Sequence, residues 1–143
     1  MEVILRSKID KETFFKAIAN AIVDDINLNT KKTVGINSLT KGFKFTKNPP
    51  SGQKTSCNIL EYKENSIISI QHKTDKMRSI ITYSFDDASD GCEVKFNNIN
   101  YKPTGEEMKV FIGLKTLTKR NMLKRLKHVE NYILSQTKDQ STD

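Results

Sequence analysis

Two histidines, two cysteines, four tyrosines and a few clustered aspartates are the side chains through which this sequence could do chemistry. His72 ends a strand-like run and His128 lies in the last helical stretch, and neither has a cysteine, carboxylate or second histidine at metal-ligand spacing. His128 falls on the flank away from that helix's apolar stripe and reads as solvated surface. His72 shares a strand face with Ile68 and Ile70, which makes it either a core histidine or a polar group inside a cavity. Asp86, Asp87, Asp90 and Gly91 are grouped like a calcium loop. However, Ala88 holds the third position and Asn97 the twelfth, where a bidentate glutamate belongs, so the cluster reads as a hairpin turn. Asp24 and Asp25 are adjacent, so on a helix they point about 100° apart and cannot work as facing carboxylates. Lys41-Gly42 stands in the wrong order for a phosphate-binding loop, and there is no nucleophile elbow. Cys57 and Cys92 lack CxxC spacing and read as reduced, buried thiols. No catalytic residue, metal ligand or cofactor site emerges, and enzymatic activity has no support in the sequence; Tyr62, His72 and Tyr83 are the groups that a cavity could still put to use.

The element positioning these residues is the amphipathic stretch from Thr104 to Gln136. Apolar residues recur at Phe111, Leu114, Met122, Leu126, Val129 and Ile133, with Thr118 filling the gap, and Thr104 and Glu107 have capping-box spacing. At about 1.5 Å per residue the helix would be roughly 45 Å long. Upstream, Glu2–Ile9 alternates as a strand, Asp10 is an N-cap candidate, and Phe14, Phe15, Ile18, Ala19, Ile22 and Ile26 form the apolar face of a first helix. Residues 27–40 suggest a short helix or turn, then a loop. From Lys41 the period becomes two. Phe43 and Phe45 begin a strand that ends at Asn48–Gly52, Ser56–Tyr62 and Ile67–His72 read as a hairpin, Met77–Phe85 is a strand with Met77, Ile81, Tyr83 and Phe85 on one face, and Cys92, Val94 and Phe96 open the last one. The order predicts an α+β domain over 1–136, a curved antiparallel sheet of about six strands against the terminal helix, followed by a polar tail over 137–143.

The chain has 143 residues, 36% hydrophobic and 29% charged, which is one ordinary globular domain. No apolar run is long enough to span a membrane, and the first residues lack a signal-peptide pattern, so a cytoplasmic protein is expected. The net charge of +7 favours anionic partners in general. On a helical wheel Lys109, Arg120, Lys124 and Lys127 cluster within about 60°, opposite the apolar stripe. That ridge reads first as a solvated face. As a site it supports at most non-specific nucleic-acid or anion binding, because no aromatics accompany it to stack bases.

A strand, a helical break, a curved sheet and a long terminal helix together resemble the helix-grip fold of the START-like (SRPBCC-type) superfamily, which includes many carriers of apolar ligands. Several stretches also resemble a bacterial family known as domain of unknown function 3284. These are the opening strand followed by Phe14 and Phe15, the Asp24-Asp25-Ile26 triplet, Gly42-Phe43-Lys44-Phe45, Ile81-Thr82-Tyr83, and the basic helix ending in Leu126–Glu130. The resemblance covers nearly the full chain and carries no catalytic residue. It implies a cavity between sheet and helix, lined by Phe43, Phe45, Tyr62, His72, Tyr83, Phe85, Phe96, Phe111, Leu114 and Met122, and a small apolar or amphipathic ligand with no cofactor. Nucleic-acid binding through the basic ridge and a ligand-free interaction module are the alternatives, and no oligomeric state follows.

Overall fold

A computed structural model describes residues 1–30, 32–48, 52–109 and 112–141. Strand β1 (Glu2–Ser7) leads into helix α1 (Lys11–Asn29) and a short 3-10 helix (Ile36–Ser38). The chain continues through β2 (Lys44–Lys47), β3 (Thr55–Lys63), β4 (Ile67–Lys73), β5 (Arg78–Ala88) and β6 (Gly91–Tyr101) to helix α2 (Ile112–Ser141). The six strands form one antiparallel sheet in the order β1-β6-β5-β4-β3-β2, which places β1 and β2 at opposite edges. The register slips between Ile59 and Glu61, a bulge that bends β3 and helps the sheet curl. This is the α+β architecture expected from the sequence.

Helix α1 starts where Asp10 caps it: the Asp10 carboxylate accepts from the Thr13 N–H at 3.0 Å, and that bond, with the Thr13 hydroxyl, holds its pKa below the usual value. Replacing Asp10 with alanine should cost about 1 kcal/mol of unfolding free energy in urea titrations, with asparagine retaining most of it. The helix lays Phe14, Phe15, Ile18, Ala19 and Ile26 on the concave face of the sheet, where they meet Ile59, Ile68, Phe85 and Val94 in a single core. Phe85 packs edge-on against Phe15 at 5.2 Å between centroids and also against Phe14.

The terminal helix departs from the sequence reading at both ends. Thr104 and Glu107 do not form a capping box. Lys102 donates to the Glu106 carbonyl at 2.7 Å, Gly105 (φ +95°) donates back to Lys102, Met108 N–H reaches Asn100 O at 2.8 Å, and Tyr101 bridges Glu107 as in a strand pair. Pro103 and Gly105 thus turn the chain back along the end of β6, and backbone pairing with the sheet outcompetes a helical turn. The described helix spans Ile112–Ser141, past Gln136 and through most of the stretch read as a tail.

Coverage of the sheet by α2 is also partial. Leu126 and Ile133 are buried, and Met122, Leu123 and Val129 pack partly against the core, on α1 and β1. From Ile112 to Asn121 every residue is exposed, including Ile112 (83%), Leu114 (44%) and Leu117 (52%). The grip is made by the second half of the helix.

Candidate functional site

The pleat puts alternate residues of each strand on the concave face, and the pairing registers line them up in rows. One row runs Val3, Phe96, Tyr83, Ile68, Tyr62; the next holds Asn98, Ile81, Ile70, Ile59; the third holds Asn100, Ser79, His72, Cys57, Phe45. The face is therefore apolar in the middle and becomes polar toward the far ends of β5 and β6.

Two cavities lie between this face and the helices. The smaller, about 260 Å³, is lined by Ile81, Tyr83 and Phe96 from the sheet, Ile18, Ile22 and Asp25 from α1, and Met122, Arg125, Leu126 and Val129 from α2. The larger, about 600 Å³, lies beside it under the exposed half of α2, lined by Met1, Asn98, Asn100, Glu107, Met108, Lys109, Leu114, Lys115 and Thr118. Asn98 is the cross-strand partner of Ile81, so the two cavities occupy neighbouring rows of one sheet face.

The expected cavity residues divide accordingly. Tyr83, Phe96 and Met122 line the smaller cavity, Tyr83 and Phe96 in ring contact at 5.2 Å, and Leu114 lines the larger. Phe85 is packed beneath α1, and Tyr62 sits against Phe15 at 5.7 Å, so both serve the core on the α1 side. Phe43 and Phe45 pair with each other at 5.9 Å by the β2 edge. Phe111 lies outside the described residues, as do Pro49, Pro50 and Ser51 of the turn cluster. The basic residues also separate: Arg120, Lys124 and Lys127 are exposed on α2, whereas Lys109 precedes the helix and borders the larger cavity.

Reasoning from sequence missed Asn98, Asn100 and Lys115 as lining groups, although the signals are present. The period-two alternation of Cys92, Val94 and Phe96 continues into Asn98 and Asn100, so amides occupy positions where a core strand would keep apolar side chains.

His72 sits on the polar row, with its Nδ1 buried and without a hydrogen-bond partner. Its pKa is lowered from 6.5 to about 4, chiefly by burial and then by the charge of Lys47, while Asp25, ion-paired with Lys47 and bonded by Asn29 at 2.7 Å, opposes the shift. The imidazole is thus neutral at pH 7. Since the unfolded chain protonates His72 more readily, its contribution to stability is complete above pH 6.5 and is lost as pH falls from there toward 4. Thermal unfolding between pH 7.5 and 4 should show this decline, and it should be shallower in His72→Gln.

Burial raises the Tyr83 hydroxyl pKa, an effect that Arg125 opposes and Asp25 reinforces. Burial likewise pushes both cysteine thiols up to about 11. Tyr83 therefore stays protonated and can donate a hydrogen bond, and the thiols are poor nucleophiles at neutral pH. Among the described residues, no group of three His, Cys, Asp or Glu side chains could hold a metal ion, and no helix is long and apolar enough to cross a membrane. The arrangement suits non-covalent binding.

Solved structures with the same arrangement are distant in sequence. Protein MLL2253 from Mesorhizobium loti is 14% identical with a TM-score of 0.63, over 96% of this chain and 97% of that one. Ara h 8.0201 is 13% identical with a TM-score of 0.62, over 94% and 97%. DynU16, from the dynemicin biosynthetic locus, is 7% identical with a TM-score of 0.63, over 93% of this chain and 46% of DynU16. At these identities the likeness concerns the fold. No curated protein matches the sequence. With a helix-grip fold like that of these structures and a match to the family's profile over residues 1–112, the chain belongs to the family called domain of unknown function 3284 (DUF3284).

Proposed function

We propose that this protein binds one small apolar or amphipathic molecule between its sheet and α2. The observation that carries the reading is the incomplete grip: the first half of α2 buries no side chain among its described residues, and beneath it and the adjoining turn the concave face is hollow. Apolar groups such as Ile81, Tyr83 and Met122 are left half-buried around that space, where a closed core would have covered them. A volume of about 600 Å³ beside one of about 260 Å³ lies in the range of small-molecule pockets. The carrier role implied by the START-like resemblance agrees with this geometry.

Native mass spectrometry of the purified protein tests for a retained ligand as a reproducible added mass. Dodecanol, an apolar probe, should raise the unfolding temperature in a concentration-dependent and salt-insensitive manner. Replacing Ile81 with tryptophan fills the smaller cavity at a cost of about 1 to 3 kcal/mol and should abolish the dodecanol shift. If the folded Ile81→Trp protein bound dodecanol as well as the wild type, the ligand would not occupy this space.

A second reading rests on the outer face of α2. Arg120, Lys124 and Lys127 are exposed there, and none forms an ion pair among the described residues. Binding of nucleic acid through this face would weaken steeply with salt and would be lost in Lys124→Glu/Lys127→Glu, a double change that leaves dodecanol binding intact.

A further inference from the structure

The stripe of α2 that faces the sheet changes character along its length. Met122, Leu126, Val129 and Ile133 hold it in the second half of the helix, spaced by fours and threes. One heptad before Met122 and Leu126, the same stripe presents Lys115 and Lys119, with Thr118 alongside. The opposing sheet face changes in parallel, from Val94 and Phe96 to Asn98 and Asn100. The two changes meet across one space. Apolar groups of α2 oppose Phe96 and Tyr83 in the smaller cavity, while Lys115 and Thr118 oppose the two asparagines in the larger.

The polar end lacks the partners that would make it self-sufficient. Lys115 and Lys119 form no ion pair among the described residues. Ser79 donates to Asn100 Oδ1 at 2.6 Å, which leaves the Asn100 Nδ2 as a donor. Burial, followed by the charges of Lys115 and Lys119, lowers the pKa of the Met1 amino group beside Asn98, so both lysines act on the same small region. Glu107 is the carboxylate in the lining, and with Glu2 it opposes the effect of the two lysines on the Met1 amino group. The positive end of the α2 dipole adds to this field.

We infer that the ligand is amphipathic with an anionic head: its apolar body lies between Tyr83, Phe96 and Met122, and its head sits between Lys115, Lys119 and the Nδ2 amide of Asn100. The inference rests on the cavity reading above and specifies its ligand. A carboxylate or a phosphate monoester satisfies the same chemistry, because both accept charge-assisted hydrogen bonds from ammonium and amide donors.

The test compares dodecanoate, dodecyl phosphate and dodecanol, each below its micelle concentration, by isothermal titration at pH 8 and low salt on the wild type and on Lys115→Met/Lys119→Met. At least one anion should bind about ten-fold or more tighter than dodecanol, and the better anion identifies the head group. The double variant changes two exposed side chains and keeps their apolar stems, so it should fold. It should bind the anions no more tightly than dodecanol, and the preference for the anion in the wild type should also shrink as salt is added. If all three probes bind equally well, or the preference survives in the variant, the anionic head is refuted and the apolar cavity stands. If none binds, the cavity reading itself fails and takes this inference with it.

Discussion

Replacing Leu126 with alanine is expected to lower the unfolding free energy by about 3 kcal/mol. The side chain is 1% exposed, and with Ile133 it is one of the two buried anchors of α2 among the described residues. Truncation removes apolar contact and leaves a void that the helix can close only by sliding on α1 and β1, the elements it packs against. Residues 112–121 add no buried side chain, so only Ile133 and the partly buried Met122, Leu123 and Val129 are left to hold the helix among the described residues. Hydrogen exchange should therefore show α2 amides losing protection first, with the β3–β6 amides retaining most of theirs. Dodecanol binding should weaken as well, since Leu126 lines the smaller cavity. A loss of under about 1 kcal/mol with unchanged α2 protection would show that the helix is held by something other than this anchor.

Gly91→Ala should be similarly severe, about 3 kcal/mol, for a backbone reason. A Cβ at this position would lie 1.9 Å from the Ser7 carbonyl oxygen and 2.7 Å from Lys8 Cα, both main-chain atoms. Gly91 opens β6 after the two-residue turn Ser89-Asp90, and the neighbouring Cys92 pairs with Ser7 at the end of β1. Relief would require the β1–β6 pair to separate at this end, with loss of sheet hydrogen bonds and of packing around the buried Cys92. A urea midpoint close to wild type would mean that β1 leaves the sheet here more easily than its pairing implies. Of the clustered aspartates, Asp90 lies in the turn whereas Asp86 and Asp87 are strand residues that pair with Glu93 and Cys92, and Asp87 meets Lys11 at 3.2 Å. The absence of an acidic twelfth residue had already set this cluster apart from a calcium loop.

Local pattern was most informative where one face of an element is buried. Asp10 reads as a cap because a short carboxylate precedes an amphipathic run, and it caps α1. The period-two runs around Ile59, Ile70, Ile81 and Phe96 read as strands because only alternation can bury one face of a sheet, and each is a strand. The start of α2 was misread because Thr104 and Glu107 satisfy a helix-cap pattern that is local, whereas the Tyr101–Glu107 bridge and the Met108-to-Asn100 bond depend on where β6 lies. The site was legible in outline only. Periodicity puts Tyr83, Phe85 and Phe96 on an inner face, but it does not reveal that α1 covers Phe85 while Tyr83 stays half-buried beside a cavity.

By itself the sequence determined the α+β order of elements, the strand faces, the apolar stripe of the terminal helix and the basic character of the chain. These follow from local periodicity and side-chain chemistry, which each segment carries whatever its surroundings. Only the tertiary structure decided how far α2 covers the sheet, that Lys115 and Thr118 come to oppose Asn98 and Asn100, and that a cavity of about 600 Å³ lies between them. Those are distances between segments remote in sequence, set by how the bend of the sheet, the bulge at β3 and the Leu126 anchor together fix one helix over one face. No short window of sequence contains them, because the same amphipathic helix could be seated on the same strands closer in or further out with every local preference still satisfied.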